Sequence, residues 1–205
     1  SRCGIIYMDP KSLGYDVLLQ SWLAKLPVAL AKTDIESKLF SLFDSFLPSI
    51  LPHLRRNFNE PFPTVNNCLV EALLNMLDTF LNPFIDKDDG SEKKTPEEVD
   101  NFVDRIDPIF LYSMVWTIAC TVSKAGRPAF DAFLRLESRS KQLKYPPPEE
   151  GELYDYLFDH EEGVWKPWLE TVDEYKYDPK LEYSELIIPT KDSVCYSHLL
   201  DTLLM

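Results

Sequence analysis

Few residues in this chain are able to do chemistry, and their spacing decides how each is read. The opening "SRCG" sets Arg2 directly before the apolar run Ile5-Ile6-Tyr7-Met8. A guanidinium there would stand at the mouth of a sheet, where α/β proteins gather ligands, and its planar fork suits phosphate oxygens. On the residues alone, a surface arginine at a strand end is the simpler account. Asp86, Asp88 and Glu97 fall at positions 1, 3 and 12 of a calcium-loop register. That register needs a ligand at position 5 and glycine at 6, where Gly90 and Ser91 stand, so a solvated loop is expected instead. His53, His160 and His198 are isolated and read as packing or surface residues. Cys3, Cys68, Cys120 and Cys195 lie far apart with no CxxC pair, which argues against zinc and for buried, reduced thiols.

Tyr154, Tyr156, Phe158, Trp165 and Trp168 could stack nucleic-acid bases, but Glu152, Asp155, Asp159, Glu161 and Glu162 are interleaved with them. Those acids would repel a phosphate backbone, so packing across a hairpin is expected. No GxxxxGK[ST] loop, paired metal-binding acids, Ser/His/Asp or Cys/His grouping is legible. The chain is not expected to be a complete enzyme, and no metal ligands are assigned.

The rest of the composition narrows the partners. The 205 residues are 45% hydrophobic, enough for one good core or two small ones, and carry a formal net charge of −13. Such acidity disfavours nucleic acid and anionic membrane surfaces. No apolar stretch reaches membrane-spanning length and no signal peptide is legible, so a soluble intracellular chain is expected.

The elements that must position these residues read as mostly α. "CGIIYM" (3–8) is a short buried strand bounded by Asp9-Pro10. Helical spacing runs from Ser12 through Leu26, then from a capping signal at Thr33 or Asp34 with Glu36, where Pro48 and Pro52 should bend or end the helix. A further helix ends at Asn82-Pro83, and 86–96 is an exposed charged loop. From Pro96 a helical stretch begins whose second half, 109–122, is apolar nearly all round and should be the most buried. Gly126 is a candidate C-cap, followed by a more polar helix from Arg127. Beyond Pro146-Pro147-Pro148 a hairpin turns at Glu161-Glu162-Gly163, "YSELIIP" is a short strand, and "TKDSVCYSHLLDTLL" is a capped helix. The abrupt start at Ser1 and the uncapped run at Met205 suggest a piece of a longer polypeptide.

Four stretches in order carry a family resemblance. "SRCGIIYMDPKSLGYDVLLQSWL" resembles the end of the large subdomain of the second AAA+ module in dynein heavy chains. "FLYSMVWTIACTVSKAGRPAFDAFLR" (110–135) is similar to that family's aromatic helix, Gly-Arg turn and FDxFLR run. "PPPEEGELYDYLFD…WKPWLETV" resembles its PPExGxVYDYxFD…WxPW hairpin, in wording closer to axonemal than cytoplasmic chains. "LIIPTKDSVCYSHLLDTLL" resembles the segment that precedes the third module's phosphate loop.

The resemblance implies a mostly α fold: a helical AAA+ small subdomain, preceded by one strand and followed by a hairpin connector. Residues 1–10 would end the second large subdomain, 11–140 form the small subdomain, and 141–205 lead into the third module. It implies a part of an ATP-driven motor ring that moves toward microtubule minus ends in cilia, transmitting nucleotide state. Arg2, whose Ser-Arg-Cys setting is also similar to clamp-loader ATPases, would be an arginine finger acting in trans on the first module's ATP. Ile188, Pro189 and Thr190 would line the adenine side of the third module. ATP or ADP with Mg2+ would be held by the complete ring and none by this segment alone, which should be inactive by itself. Implied partners are the neighbouring AAA+ modules of the same heavy chain, other dynein subunits, and microtubules through distant parts of the chain. The implied place is the cytoplasm, cytoskeleton and ciliary axoneme. One departure stands out: 107–123 holds no Arg or Lys where active modules carry a sensor arginine, and Arg127 is the nearest substitute. This favours holding ATP over hydrolysing it in the second module. The rival reading is a stand-alone acidic helical interaction module without catalysis.

Overall fold

Spacing of apolar residues every three to four positions dictates a helical protein, and a computed structural model of the chain bears this out. It describes residues 4, 14–85, 94–172 and 189–204. The expected strand at 3–8 apart from Gly4, most of the charged loop at 86–96, and the expected strand up to residue 188 lie outside the described residues, and Arg2, Asp86, Asp88 and Ile188 lie there with them.

Helix α1 covers Asp16–Leu23 and α2 covers Ile35–Asn57. Helix α2 does not end at either proline, one of the two outcomes, a bend or an end, that the sequence left open. Each proline removes one backbone bond and costs about 3 kcal/mol or more. Against this, nine side chains of α2, from Ile35 to Leu54, are buried, each contributing roughly 1.5–3 kcal/mol. Asp44, Pro48 and Pro52 all lie on the exposed face, so water can reach the carbonyls that the missing donors leave open. The capping expectation is met in altered form. Asp34 makes no side-chain cap, and the Thr33 hydroxyl accepts from the Ile35 N–H at 3.3 Å.

Helix α3 covers Asn66–Leu81 and stops in a 3-10 turn at Asn82–Phe84, as Asn82-Pro83 predicts. Helix α4, Pro96–Asp104, opens on a reciprocal cap between Thr95 and Glu98. Hydrogen bonds from Lys94 and Thr95 hold the Glu98 carboxyl down to about 2. The helical stretch then breaks at Arg105, because Pro108 cannot donate to the Asp104 carbonyl. Helix α5, Ile106–Thr117, buries nine of its twelve residues and is the central helix, as expected. Its Phe110 ring meets both Phe43 and Phe46 of α2, at 5.2 and 5.7 Å. The core is one cluster reaching from Leu19 to Cys195.

Gly126 is not a C-cap. It ends a 3-10 turn, Lys124–Gly126, and stands at the N-cap of helix α6, Arg127–Ser140, with ordinary negative φ. Its reason is space: a Cβ there would sit 2.7 Å from Val122 Cγ1 and 3.1 Å from Phe58 Cδ1.

Strands β1, Tyr156–Asp159, and β2, Val164–Pro167, form the expected antiparallel hairpin, pairing Tyr156 with Pro167 and Asp159 with Val164. The Asp159 carboxylate accepts from the N–H groups of Glu161 and Glu162, which shapes the turn. Gly163 follows at φ +76°, and a Cβ there would meet Arg105 Nε at 2.6 Å. Gly163→Ala is therefore expected to cost about 1–3 kcal/mol in a urea melt, through strained backbone and displaced Arg105. A change within about 0.5 kcal/mol would show that the turn tolerates a side chain. Helix α7, Lys191–Leu204, closes the described structure. Thr190 and Ser193 cap it reciprocally, through Ser193 N–H to the Thr190 hydroxyl and Thr190 N–H to the Ser193 hydroxyl.

Candidate functional site at the connector junction

Helix α6 carries an acid and a base one turn apart, Asp131 and Arg135, and neither faces free solvent. Arg135 Nε donates to Asp131 Oδ2 at 2.8 Å, and both side chains are about one-tenth exposed. The remaining guanidinium N–H groups donate to the carbonyls of Pro148 and Gly151. The other oxygen of Asp131 accepts from the buried Leu153 N–H at 2.7 Å. One ion pair thus clamps both sides of the Pro-Pro-Pro-Glu-Glu-Gly segment onto the bundle. A planar fork that donates to one carboxylate and two carbonyls at once is what arginine provides and lysine does not. A second arginine does the same for the hairpin tip: Arg105 Nη1 donates to the carbonyls of His160, at 2.9 Å, and Glu161.

Between these two clamps the hairpin seats an aromatic cluster on α5. Trp116 packs edge-on against Tyr154 at 6.0 Å and Trp168 at 5.9 Å. Trp168 Nε1 donates to the Tyr154 carbonyl and the Tyr154 hydroxyl donates to the Ala119 carbonyl. Burial raises the Tyr154 hydroxyl above its ordinary value, so it stays a neutral donor. The expected hairpin packing of these aromatics is what is found, with Phe158 and Trp165 also in contact at 5.1 Å. Helix α7 lies against this cluster through Cys195 and His198, with Lys191 paired to Asp155. What the arrangement can do is mechanical: α5, α6, the hairpin and α7 are held as one block.

The sequence-predicted site residues fall at or beyond the edge of that block. Pro189 is half-buried and Thr190 exposed, at the start of α7; Arg2 and Ile188 lie outside the described residues. Arg127, at the start of α6, lies 5.0 Å over the Tyr154 ring, and its Nε is buried without a hydrogen-bond partner among the described residues. The three histidines do pack against rings, His53 on Phe133, His160 on Phe80 and His198 on Trp168. The thiol expectation needs a correction: Cys120 and Cys195 are pushed up by burial to about 11 and about 12, but Cys68 is exposed on α3. Position 68 falls on the polar side of α3, one residue before the buried Leu69-Val70 pair. Among the described residues no group of three or more His, Cys, Asp or Glu side chains is gathered that could hold a metal ion, and no step through one is derived. Sequence reasoning missed Arg105, Asp131 and Arg135. Only the four-residue spacing of Asp131 and Arg135 signalled a pair, and nothing local signalled its targets.

A bundle of helices ending in a clamped hairpin and a further helix is the class of structure the geometry defines. Residues 39–170 match the dynein heavy chain AAA lid domain family, and the chain belongs to that family. It is 33% identical to dynein axonemal heavy chain 1 of Homo sapiens over 221 aligned residues, covering 100% of this chain and 5% of that protein. Dynein axonemal heavy chain 2 of Mus musculus is 27% identical over 99% of this chain and 4% of its own length. Dynein axonemal heavy chain 12 of Homo sapiens is 28% identical over 98% of this chain and 7% of its own. The chain therefore spans about one-twentieth of the length of the curated relatives it matches.

Proposed function

We propose that this chain is the lid of the second AAA+ module, with the connector into the third, in the motor ring of an axonemal dynein heavy chain. Its work is to carry nucleotide state from one module to the next as a rigid displacement. The observation that carries this reading is the block described above, in which Asp131, Arg135 and Trp168 fasten the connector to the lid. ATP and Mg2+ would be supplied by the complete ring, at sites between modules, and microtubule sliding in the ciliary axoneme would be its output. Neighbouring modules and other dynein subunits would be its partners. Arg2 would serve as the arginine finger for the first module's ATP, and Ile188, Pro189 and Thr190 would flank adenine in the third. The capping role of Thr190 leaves its backbone fixed, which suits a wall beside a purine. Arg127 is engaged with Tyr154, which supports the reading that the second module holds ATP without hydrolysing it. The segment by itself would be catalytically inert.

The test is to loosen the block without touching a nucleotide site. Trp168→Ala removes a ring that is 1% exposed, and losses of about 3–5 kcal/mol are typical for such truncations. In the full-length heavy chain it is expected to slow microtubule gliding several-fold while basal ATPase persists, with Trp168→Phe largely restoring gliding. Gliding at the unaltered speed in Trp168→Ala would refute transmission through this junction.

A further inference from the structure

The hairpin and the last helix each bring one histidine to the same seat on the bundle. His160, at the hairpin turn, sets its ring edge-on to Phe80 of α3 at 5.3 Å. His198 of α7 lies against Trp168 at 5.5 Å. Helix α7 rests on α3 and on the turn Trp168–Thr171, and His160 lies near enough to His198 to oppose its charging. Asp78 of α3 is engaged by Trp22, Glu71 lines a groove beside Leu18, and Glu170 is exposed.

We propose that this seat is a proton-sensitive latch, in which charging His160 and His198 releases α7 and the hairpin turn while the helical bundle stays folded. The physical reason is that two half-buried imidazolium ions would lie close to one another, one against Phe80 and one against Trp168. Burial lowers both histidines below their ordinary value. Glu161 and Asp159 favour the charged form of His160, whereas Arg105 and Lys94 oppose it. Asp201 favours the charged form of His198, and His160 opposes it. The seated state thus excludes protons that the released state accepts. Seating is at full strength above the ordinary histidine value of about 6.5 and weakens as pH falls below it. Carboxylates act in a separate, more acidic window. Against the upward push of burial, Lys166 and the turn amides hold Asp159 below its ordinary range.

The latch concerns local seating and needs no ATPase reading, so failure of the motor assignment would leave it standing. Hydrogen exchange followed by mass spectrometry on the full-length chain at about pH 7.5 and 5.8, corrected for intrinsic rates, tests it. Peptides over 191–204 and 160–163 are expected to exchange about twofold or more faster at the lower pH, because burial disfavours the charged form of both histidines in the seated state. Helix α2 should keep its protection, and the double variant His160→Gln/His198→Gln should lose the response. Unchanged exchange in 191–204, equal acceleration in α2, or a full response in the double variant would each overturn the proposal.

Discussion

Arg2→Ala in the full-length heavy chain is expected to depress both basal and microtubule-stimulated ATPase by on the order of 10³-fold, while nucleotide binding at the first module persists. The scale comes from trans-acting arginines in small GTPases, where one guanidinium contributes about 10³–10⁵ in rate. Such a group neutralises charge that develops on the transferring phosphoryl group, so it acts on the transition state more than on bound nucleotide. Arg2→Lys is expected to recover only a minor part, because an ammonium is a point charge that cannot bridge two oxygens in a fixed plane. ATPase at wild-type levels in Arg2→Ala would remove the finger role and return Arg2 to an ordinary strand-end arginine. Lost nucleotide binding would instead mean that Arg2 holds the ground state. Either result leaves the lid assignment untouched, since that rests on residues 39–170.

Asp131→Ala is expected to cost about 3–5 kcal/mol, the largest loss of stability expected from a polar change among the described residues. Removing the carboxylate strands two groups at once. Leu153 N–H, buried at the start of the hairpin segment, loses its acceptor, and Arg135 keeps its charge at about one-tenth exposure with only the more distant Asp155 to offset it. An unmet buried donor costs about 1–3 kcal/mol, and an unpaired buried charge costs more. Arg135→Met, which removes the charge but keeps an apolar stem, is expected to cost less than Asp131→Ala, although Pro148 and Gly151 lose their donors. A chemical melt of each variant gives the comparison. A loss under about 1 kcal/mol in Asp131→Ala would mean that water substitutes freely and that the clamp is dispensable.

Much of the helical layout was legible because its causes are local. The apolar period of α2, the Asn82-Pro83 stop, the all-round apolar character of α5 and the Glu161-Glu162-Gly163 turn each depend on residues within one or two turns of one another. Open choices and errors came where local rules met tertiary burial. Pro48 and Pro52 left a bend or an end open, and the helix runs on because nine buried side chains outweigh two lost backbone bonds. Gly126 resembled a C-cap, but packing against Val122 and Phe58 is what requires a glycine there. Cys68 was expected inside with the other cysteines, but it follows Asn66 and Asn67 on the polar side of α3, which puts it outside.

By itself, the sequence determined the mostly α class, the order of helices and hairpin, and, through four ordered motifs, the family. Only the tertiary structure decided where the charges go. Asp131 reaches Leu153 across 22 residues, Arg105 reaches His160 across 55, and Trp22 donates to Asp78 across 56. Partners so far apart in the chain meet only after the apolar faces have packed and fixed the distances between helices. A local pattern sets a helix's face, whereas a buried polar group's partner depends on the whole core around it.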